Sequence, residues 1–252
     1  MTEIAAQLYT VYEFLQTPQE IARSLKKVAQ IGYRAVQVSG LGPIDTDELK
    51  SILDAEGLVV CATHVDFEEL RIDLDAVIDY QKTLDCNFVA IGSMPLEYRD
   101  EEGYRRFAEE INPIAKELSK AGLVFGYHNH SFELERFGEK TGLEIFFNAC
   151  DAEFVTAEFD TYWLQNGGAD PIVWIESFSD RVPVIHLKDM KAQSNDSIMA
   201  EVGEGNMNWQ GIIAACKKAG TRWYVVEQDY CQRDPFDSLA ISFSNLKNMG
   251  LR

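Results

Sequence analysis

The sequence predicts an α/β fold, a single (β/α)8 TIM barrel in which eight parallel strands alternate with helices. Three observations lead to this prediction. The chain has 252 residues, about the usual size of that fold. Short apolar runs of strand length alternate with amphipathic helical patterns, which indicates a parallel sheet. No linker rich in Pro, Gly or Ser divides the chain, so we expect residues 1–252 to form one domain.

Eight apolar runs are predicted as strands. Some are apolar at every position, as in Val59–Ala62 and Trp223–Val226, because the strands of a parallel sheet are buried on both faces. No G-x-G-x-x-G turn follows the first strand, which favours a closed barrel over an open doubly wound sheet. The predicted strands are Ile4–Tyr9, Ala35–Ser39, Val59–His64, Phe88–Gly92, Val124–His128, Val155–Asp160, Val182–His186 and Tyr224–Glu227.

The helices between these strands carry their own start and stop signals. Thr17, Pro18 and Glu20 form a capping box with proline at the first helical position. Apolar residues then recur at helical spacing until Gly32 ends the first helix. The same apolar spacing, each time ahead of a glycine, predicts further helices around 107–118, 209–216 and 239–249.

The composition argues against two classes of partner. The chain has 41 acidic and 23 basic residues and a formal net charge of −18, so it would repel nucleic acid and an anionic membrane surface. No apolar stretch approaches the roughly 18 residues of a membrane span, and the N-terminus has no basic region followed by an apolar one. Five scattered cysteines indicate reduced thiols. We expect a cytoplasmic protein that forms either a monomer or a homo-oligomer.

Ionisable residues gather at the ends of the predicted strands. Asp160, His186 and Glu227 close three successive strands, and in a parallel barrel these ends are neighbours on the rim where barrel enzymes do chemistry. Each alone has a structural alternative, such as a helix cap or a hydrogen-bonded core histidine. Together they predict a site for one divalent cation. All four histidines share this placement: His64, His128, His130 and His186.

The segment 127–135 is expected to supply the fourth ligand. It is the densest polar stretch of the chain, and Glu133 and Glu135 lie beyond the strand end, from which they could fold back over the opening. Three carboxylates and one imidazole would form an oxygen-rich site that favours manganese, magnesium or cobalt, with zinc as an alternative. The residues expected to contact substrate, each with a structural role as its alternative, are His64, His128, Lys188 and Trp163.

These segments resemble the sugar phosphate isomerase/epimerase superfamily, the xylose isomerase-like barrels. The resemblance implies one divalent metal bound by Glu133, Asp160, His186 and Glu227. In the ketose 3-epimerases of that superfamily the first glutamate lies on the strand, where this chain has His128, so Glu133 is chosen by motif and Glu135 is the alternative. The matching segments are 127–133, 158–163, 185–189, 203–205 and 226–227.

The expected function is that of a metal-dependent isomerase or epimerase acting on a ketose, a keto-sugar or a sugar phosphate. Glu133 and Glu227 would exchange a proton through an enediolate, with His130 assisting. The first alternative is a lyase, either an inosose-type dehydratase or an enzyme that cleaves 3-keto-glycosides, in which His128 or His130 replaces a carboxylate as base. A non-catalytic sugar-binding barrel is a further alternative. The net charge of −18 argues against an abasic-site endonuclease.

Overall fold

A computed structural model describes residues 3–252, and eight parallel strands in it close into a barrel. Each strand pairs with its neighbours in chain order, and the last strand pairs with the first through Ile4 opposite Tyr224. The predicted (β/α)8 barrel is therefore confirmed. The barrel strands are β1 (Glu3–Gln7), β2 (Ala35–Val38), β3 (Val59–His64), β4 (Phe88–Ile91), β5 (Val124–His128), β6 (Val155–Asp160), β7 (Val184–Leu187) and β8 (Trp223–Val226).

Helices surround the barrel. The first begins as predicted, because the Thr17 side chain accepts a hydrogen bond from the Glu20 amide at 3.3 Å. It ends at Gly32, which has a φ of 126°, a conformation that favours glycine. The helices are α1 (Pro18–Ile31), α2 (Thr46–Ala55), α3 (Phe67–Ile72), α4 (Leu74–Thr83), α5 (Glu101–Lys120), α6 (Gly142–Ala149), α7 (Thr161–Asn166), α8 (Pro171–Ser177), α9 (Trp209–Lys218) and α10 (Pro235–Asn248).

Several predicted boundaries differ from the structure. The first predicted strand ran to Tyr9, but Leu8–Phe14 forms a 3-10 helix. The chain turns there because the side chain of Gln7 accepts a hydrogen bond from the Tyr9 amide at 3.2 Å. The hairpin of Asp189–Gln193 with Asp196–Ala200 was not predicted from the sequence. It follows β7 and leads into the loop before α9.

The apolar core has two parts. The larger part lies between the strands and the helices and includes the aromatic side chains of Phe107, Tyr127 and Phe159. The smaller part includes Phe88 and Trp223 together with alanines of several strands. Polar residues that follow the apolar part of the strands are therefore gathered at one mouth of the barrel. Among residues 3–252, no helix is both long enough and apolar enough to cross a membrane.

Candidate metal centre and active site

Strand alternation and register bring the ionisable residues of the barrel mouth together. Glu158 and Asp160 are two residues apart on β6, so both side chains point into the barrel, while Phe159 between them packs outward against Trp174 of α8. The pairing of β6 with β7 sets Asp160 opposite His186. Three other strands add residues to this cluster at their carboxyl ends. These residues are His64 at the end of β3, His128 at the end of β5 and Glu227 directly after β8.

The inner half of this cluster centres on Glu158, which is fully buried. Gln37 on β2 donates a hydrogen bond to Glu158 Oε1 at 2.8 Å, and His64 Nε2 lies 2.6 Å from Oε2. Burial alone would raise the pKa of Glu158, but its interactions with His186 and His64 outweigh this effect and bring the pKa to about 2. Glu158 is therefore an anion at neutral pH.

The outer half centres on Lys188, whose side chain is only 1% exposed. Its Nζ lies 3.0 Å from Asp160 Oδ2, 2.8 Å from Glu227 Oε2 and 2.7 Å from Asp229 Oδ2. The contact with Asp229 is a hydrogen bond, and those with Asp160 and Glu227 are ion pairs. Burial opposes the charged form, but these three carboxylates raise the pKa of Lys188 above its ordinary value. Lys188 is therefore a buried cation.

His186 connects the two halves. Its Nδ1 lies 2.7 Å from Glu227 Oε2, and its Nε2 lies 2.7 Å from Gln37 Oε1. Burial disfavours the imidazolium, but Glu158 and Glu227 overcome this effect and raise the pKa of His186 to about 10. Burial raises the pKa of Glu227, but the charges of Lys188 and His186 reverse this effect and hold it well below the usual range. His186 and Glu227 therefore form a buried ion pair.

The residues present fit a divalent cation. One ligand atom each from His128, Asp160, His186 and Glu227 lies within 4.8 Å of the others. Within residues 3–252, Asp160 Oδ2 is buried without a hydrogen-bond partner. It lies 4.0 Å from His128 Nε2, and its contact with Lys188 Nζ at 3.0 Å is an ion pair. Two imidazoles and two carboxylates suit manganese, cobalt or zinc.

Glu133 lies outside this group. Its buried carboxylate accepts hydrogen bonds from the Tyr127 hydroxyl at 2.7 Å and the His130 amide at 2.9 Å. The chain forms a 3-10 turn at Phe132–Leu134, which directs Glu133 back toward β5 instead of over the barrel mouth. Among the described residues, His128 therefore joins Asp160, His186 and Glu227 where the sequence argument expected Glu133. Glu135, the alternative ligand, is exposed.

The buried Glu133 carboxyl predicts a pH dependence of stability. Burial raises its pKa from about 4.5 to about 7, although the hydrogen bond from Tyr127 acts in the opposite direction. A carboxyl with a raised folded-state pKa stabilises the fold below the unfolded-state value and loses that contribution as the pH rises through about 7. From about pH 5 to about pH 8, we expect wild type to lose about 2–3 kcal/mol in free energy of unfolding relative to Glu133→Gln.

Urea denaturation of both proteins across this pH range measures the difference. Glu135→Gln is the matched control, because Glu135 is exposed two residues away. Parallel pH profiles for wild type and Glu133→Gln would contradict the prediction.

An open cavity of about 1010 Å³ leads from solvent to the cluster. His64, His128, His130, Glu227 and Asp229 form its inner wall, and Tyr9 contributes to the outer wall. Of the residues expected to contact substrate, His64 and His128 therefore face this cavity.

Lys188 and Trp163 lie behind the cavity wall. The Lys188 ammonium is 5.5 Å from the centre of the Trp163 ring. That ring packs at 5.2 Å from the imidazole of His130. Burial, helped by the positive charge of Lys188, lowers the pKa of His130 to about 3. A neutral imidazole thus faces the cavity next to the ionised carboxylate of Glu227.

Sequence reasoning missed Gln37, Glu158 and Asp229. A signal was present for Glu158, because strand alternation sets it on the same face of β6 as Asp160. Gln37 is a buried polar residue in the middle of an apolar strand, a pattern that often marks a polar interior. Asp229 lies in the loop after β8, where no periodicity applies. The backbone amides of Gly203 and Gly205 donate hydrogen bonds to Asp189 Oδ2 at 2.8 and 3.0 Å. These bonds hold the turn at 203–205 against the hairpin that begins at Asp189.

Comparison with known proteins assigns the barrel to a family. The sequence pattern of the family described as xylose isomerase-like TIM barrel matches residues 25–247. The chain belongs to this family. The resemblance drawn from the sequence segments is confirmed, and this xylose isomerase-like barrel is similar both to dehydratases and to epimerases.

Three similar proteins illustrate this range. An inosose dehydratase of Lacticaseibacillus casei is 23% identical over 85% of this chain and 85% of its own. A sugar phosphate isomerase/epimerase structure from Parabacteroides distasonis ATCC 8503 has a TM-score of 0.82 at 21% identity, covering 98% of each chain. An L-ribulose 3-epimerase structure has a TM-score of 0.74 at 16% identity, covering 100% of this chain and 95% of the other. At such identities the structural likeness shows the fold alone.

Proposed function

We propose that this chain is a divalent-metal-dependent enzyme that removes a proton beside the carbonyl of a keto-sugar or keto-polyol and then eliminates water. The observation that carries the proposal is the cluster of His128, Asp160, His186 and Glu227 at the base of an open cavity, beside the neutral imidazole of His130. The inosose dehydratases among its relatives support a dehydration as the outcome.

The proposed ligands are the four residues of that cluster, with His128 in place of Glu133. When bound, a divalent ion would polarise the substrate carbonyl and stabilise the charge of the enediolate. With the His128 imidazole in place of the Glu133 carboxylate, the ligand set has fewer oxygen atoms. The metal preference of the site therefore moves from magnesium toward manganese, cobalt or zinc. Glu133 then has a positioning role for His130, because its carboxylate accepts a hydrogen bond from the backbone amide of His130 at 2.9 Å.

His130 is the proposed acid and base of the elimination. Its side chain lines the cavity, and its imidazole is neutral because burial lowers its pKa. In the first half of the reaction the imidazole takes the proton from carbon. In the second half it returns this proton to the hydroxyl on the adjacent carbon, so that the carbon–oxygen bond breaks and water leaves.

Isomerisation or epimerisation is the second candidate function. His130 follows β5 and Glu227 follows β8, and these strands are three steps apart in the ring of eight. Two proton-transfer groups on such separated strands could act on opposite faces of an enediolate, which would invert a carbon centre. This reaction would keep the mass of the substrate.

Incubation in heavy water with added manganese distinguishes the two reactions. Keto-inositols and keto-hexoses would be tested, and products analysed by mass spectrometry. Loss of one water supports dehydration, whereas an unchanged mass with one carbon-bound deuterium supports isomerisation or epimerisation. Absence of both product and deuterium exchange with manganese, cobalt and zinc alike would contradict the enediolate mechanism. Asp160→Asn is the control, and it should show neither product nor exchange.

A further inference from the structure

A second set of ligands lies deeper in the barrel than the proposed catalytic set. We propose that His64, His128, Glu158 and His186 form a zinc-selective binding position that competes with the catalytic ion. One ligand atom from each of these four residues lies within 4.8 Å of the others. The proposal concerns metal binding alone and does not depend on which reaction the enzyme catalyses.

The three imidazoles already surround the carboxylate. His64 Nε2 lies 2.6 Å and His128 Nδ1 3.7 Å from Glu158 Oε2, and His186 Nε2 lies 3.5 Å from Oε1. The ring centres are separated by 4.4 Å for His128 and His186, 5.3 Å for His64 and His128, and 5.5 Å for His64 and His186. Small side-chain movements would bring all four atoms to one ion.

An unsatisfied polar atom points to a ligand at this position. His128 is 2% exposed, and in the part of the chain that the structure describes its Nδ1 has no hydrogen-bond partner. Leaving a buried ring nitrogen unpaired is unfavourable. A cation bound between His128 and Glu158 would satisfy this atom, and it would replace the contact between His64 and Glu158.

The ion has a route to this position from the cavity. His64 and His128 both line the cavity wall, and the side chain of His64 is 13% exposed. Glu158 and His186 behind them are fully buried. Entry past His64 therefore leads directly to the remaining three ligands.

The chemistry of the donors favours zinc at the inner position. Three imidazole nitrogens and one carboxylate oxygen suit a four-coordinate zinc ion better than magnesium or manganese, which prefer oxygen. The outer set has only two nitrogens. Its carboxylates, Asp160 and Glu227, also contact the ammonium of Lys188 at 3.0 and 2.8 Å. Among residues 3–252 this ammonium forms ion pairs with Asp160, Glu227 and Asp229 and not with Glu158.

The two positions cannot be filled together. They share His128 and His186, and a neutral imidazole has only one nitrogen free of a proton, so each ring can bind only one of the two ions at a time. Zinc in the inner set would therefore exclude manganese from the outer set. The expected behaviour is competition at a stoichiometry of one ion per chain.

Two variants separate the positions, since His64 belongs only to the inner set and Asp160 only to the outer. Isothermal titration of the metal-free 252-residue chain with zinc chloride and with manganese chloride would compare wild type, His64→Asn and Asp160→Asn. We expect His64→Asn to weaken zinc binding at least about tenfold and to leave manganese affinity within about threefold. Asp160→Asn should weaken manganese binding at least about tenfold and leave zinc affinity within about threefold. Circular dichroism checks folding, and His64→Gln replaces His64→Asn if that variant is unfolded.

Cobalt absorption gives a second readout. Cobalt(II) in the histidine-rich inner set should give an intense visible band that zinc removes and that His64→Asn lacks. If zinc affinity falls with Asp160→Asn but not with His64→Asn, zinc binds the outer set and the proposal is overturned. Absence of zinc binding to wild type would overturn it as well, while manganese binding lost in Asp160→Asn would leave the proposed catalytic set intact.

Discussion

Replacing Lys188 by methionine is expected to lower the free energy of unfolding of the metal-free protein by about 3–5 kcal/mol. The ammonium is buried among three carboxylates, those of Asp160, Glu227 and Asp229. Methionine fills most of the same volume, but it leaves these carboxylates to repel one another in a site with little access to water. Urea denaturation in the presence of a chelator would measure the loss.

A surface lysine provides the matched control. Lys218 pairs with Glu176 at 3.1 Å, but its side chain is 71% exposed, so Lys218→Met should cost less than about 1 kcal/mol. Manganese should restore much of the stability of Lys188→Met, because the ion binds to the carboxylates that the ammonium has left. Equal unfolding midpoints for Lys188→Met and Lys218→Met would contradict the assignment of Lys188 as the internal counter-ion.

This role of Lys188 could not be predicted from the sequence. A lysine that follows a strand is equally consistent with a substrate ligand and with a solvated loop residue. The structure instead directs its ammonium toward three carboxylates that come from two different strand ends and a loop. The strand order of the barrel brings Asp160 and Lys188 close to Glu227 and Asp229, because β7 pairs with β6 on one side and with β8 on the other.

The fold and one side of the cluster could be predicted because they follow from periodicity. Parallel strands end at the same rim, so Asp160, His186 and Glu227 had to be neighbours once their strands were recognised. Glu133 could not be placed in this way. Its position depends on a 3-10 turn and on a hydrogen bond from Tyr127, and neither leaves a periodic signal in the sequence.

Glu158 shows a different limit of sequence reasoning. Its neighbour Asp160 closes the strand and was recognised, whereas Glu158 inside the strand was included only in a matching segment. Its carboxylate is stabilised by Gln37 and His64, which lie on β2 and β3, far from it in sequence. A buried carboxylate within an apolar run requires partners elsewhere in the fold. That requirement predicts that partners exist but does not identify them.

Glu227→Gln is expected to lower turnover by about 100- to 10,000-fold, the usual range for losing a group that acts in proton transfer or charge stabilisation. Glu227 lines the cavity, and its Oε2 lies 2.7 Å from His186 Nδ1 and 2.8 Å from Lys188 Nζ. Glutamine keeps the shape of the side chain but removes the negative charge that both partners require. The proposed metal set also loses one of its two carboxylates.

The measurement is kcat at saturating manganese, with whichever keto-sugar or keto-polyol is turned over in heavy water. Glu69→Gln is the matched control, because Glu69 lines the same cavity from α3 but is exposed, and it should change kcat less than about threefold. Metal content measured on the same samples separates the two causes. A variant that keeps its ion but loses turnover has lost a catalytic charge, whereas one that loses both has lost a ligand. Turnover of Glu227→Gln within about threefold of wild type would exclude Glu227 from both roles, because glutamine keeps the shape of the side chain but carries no negative charge.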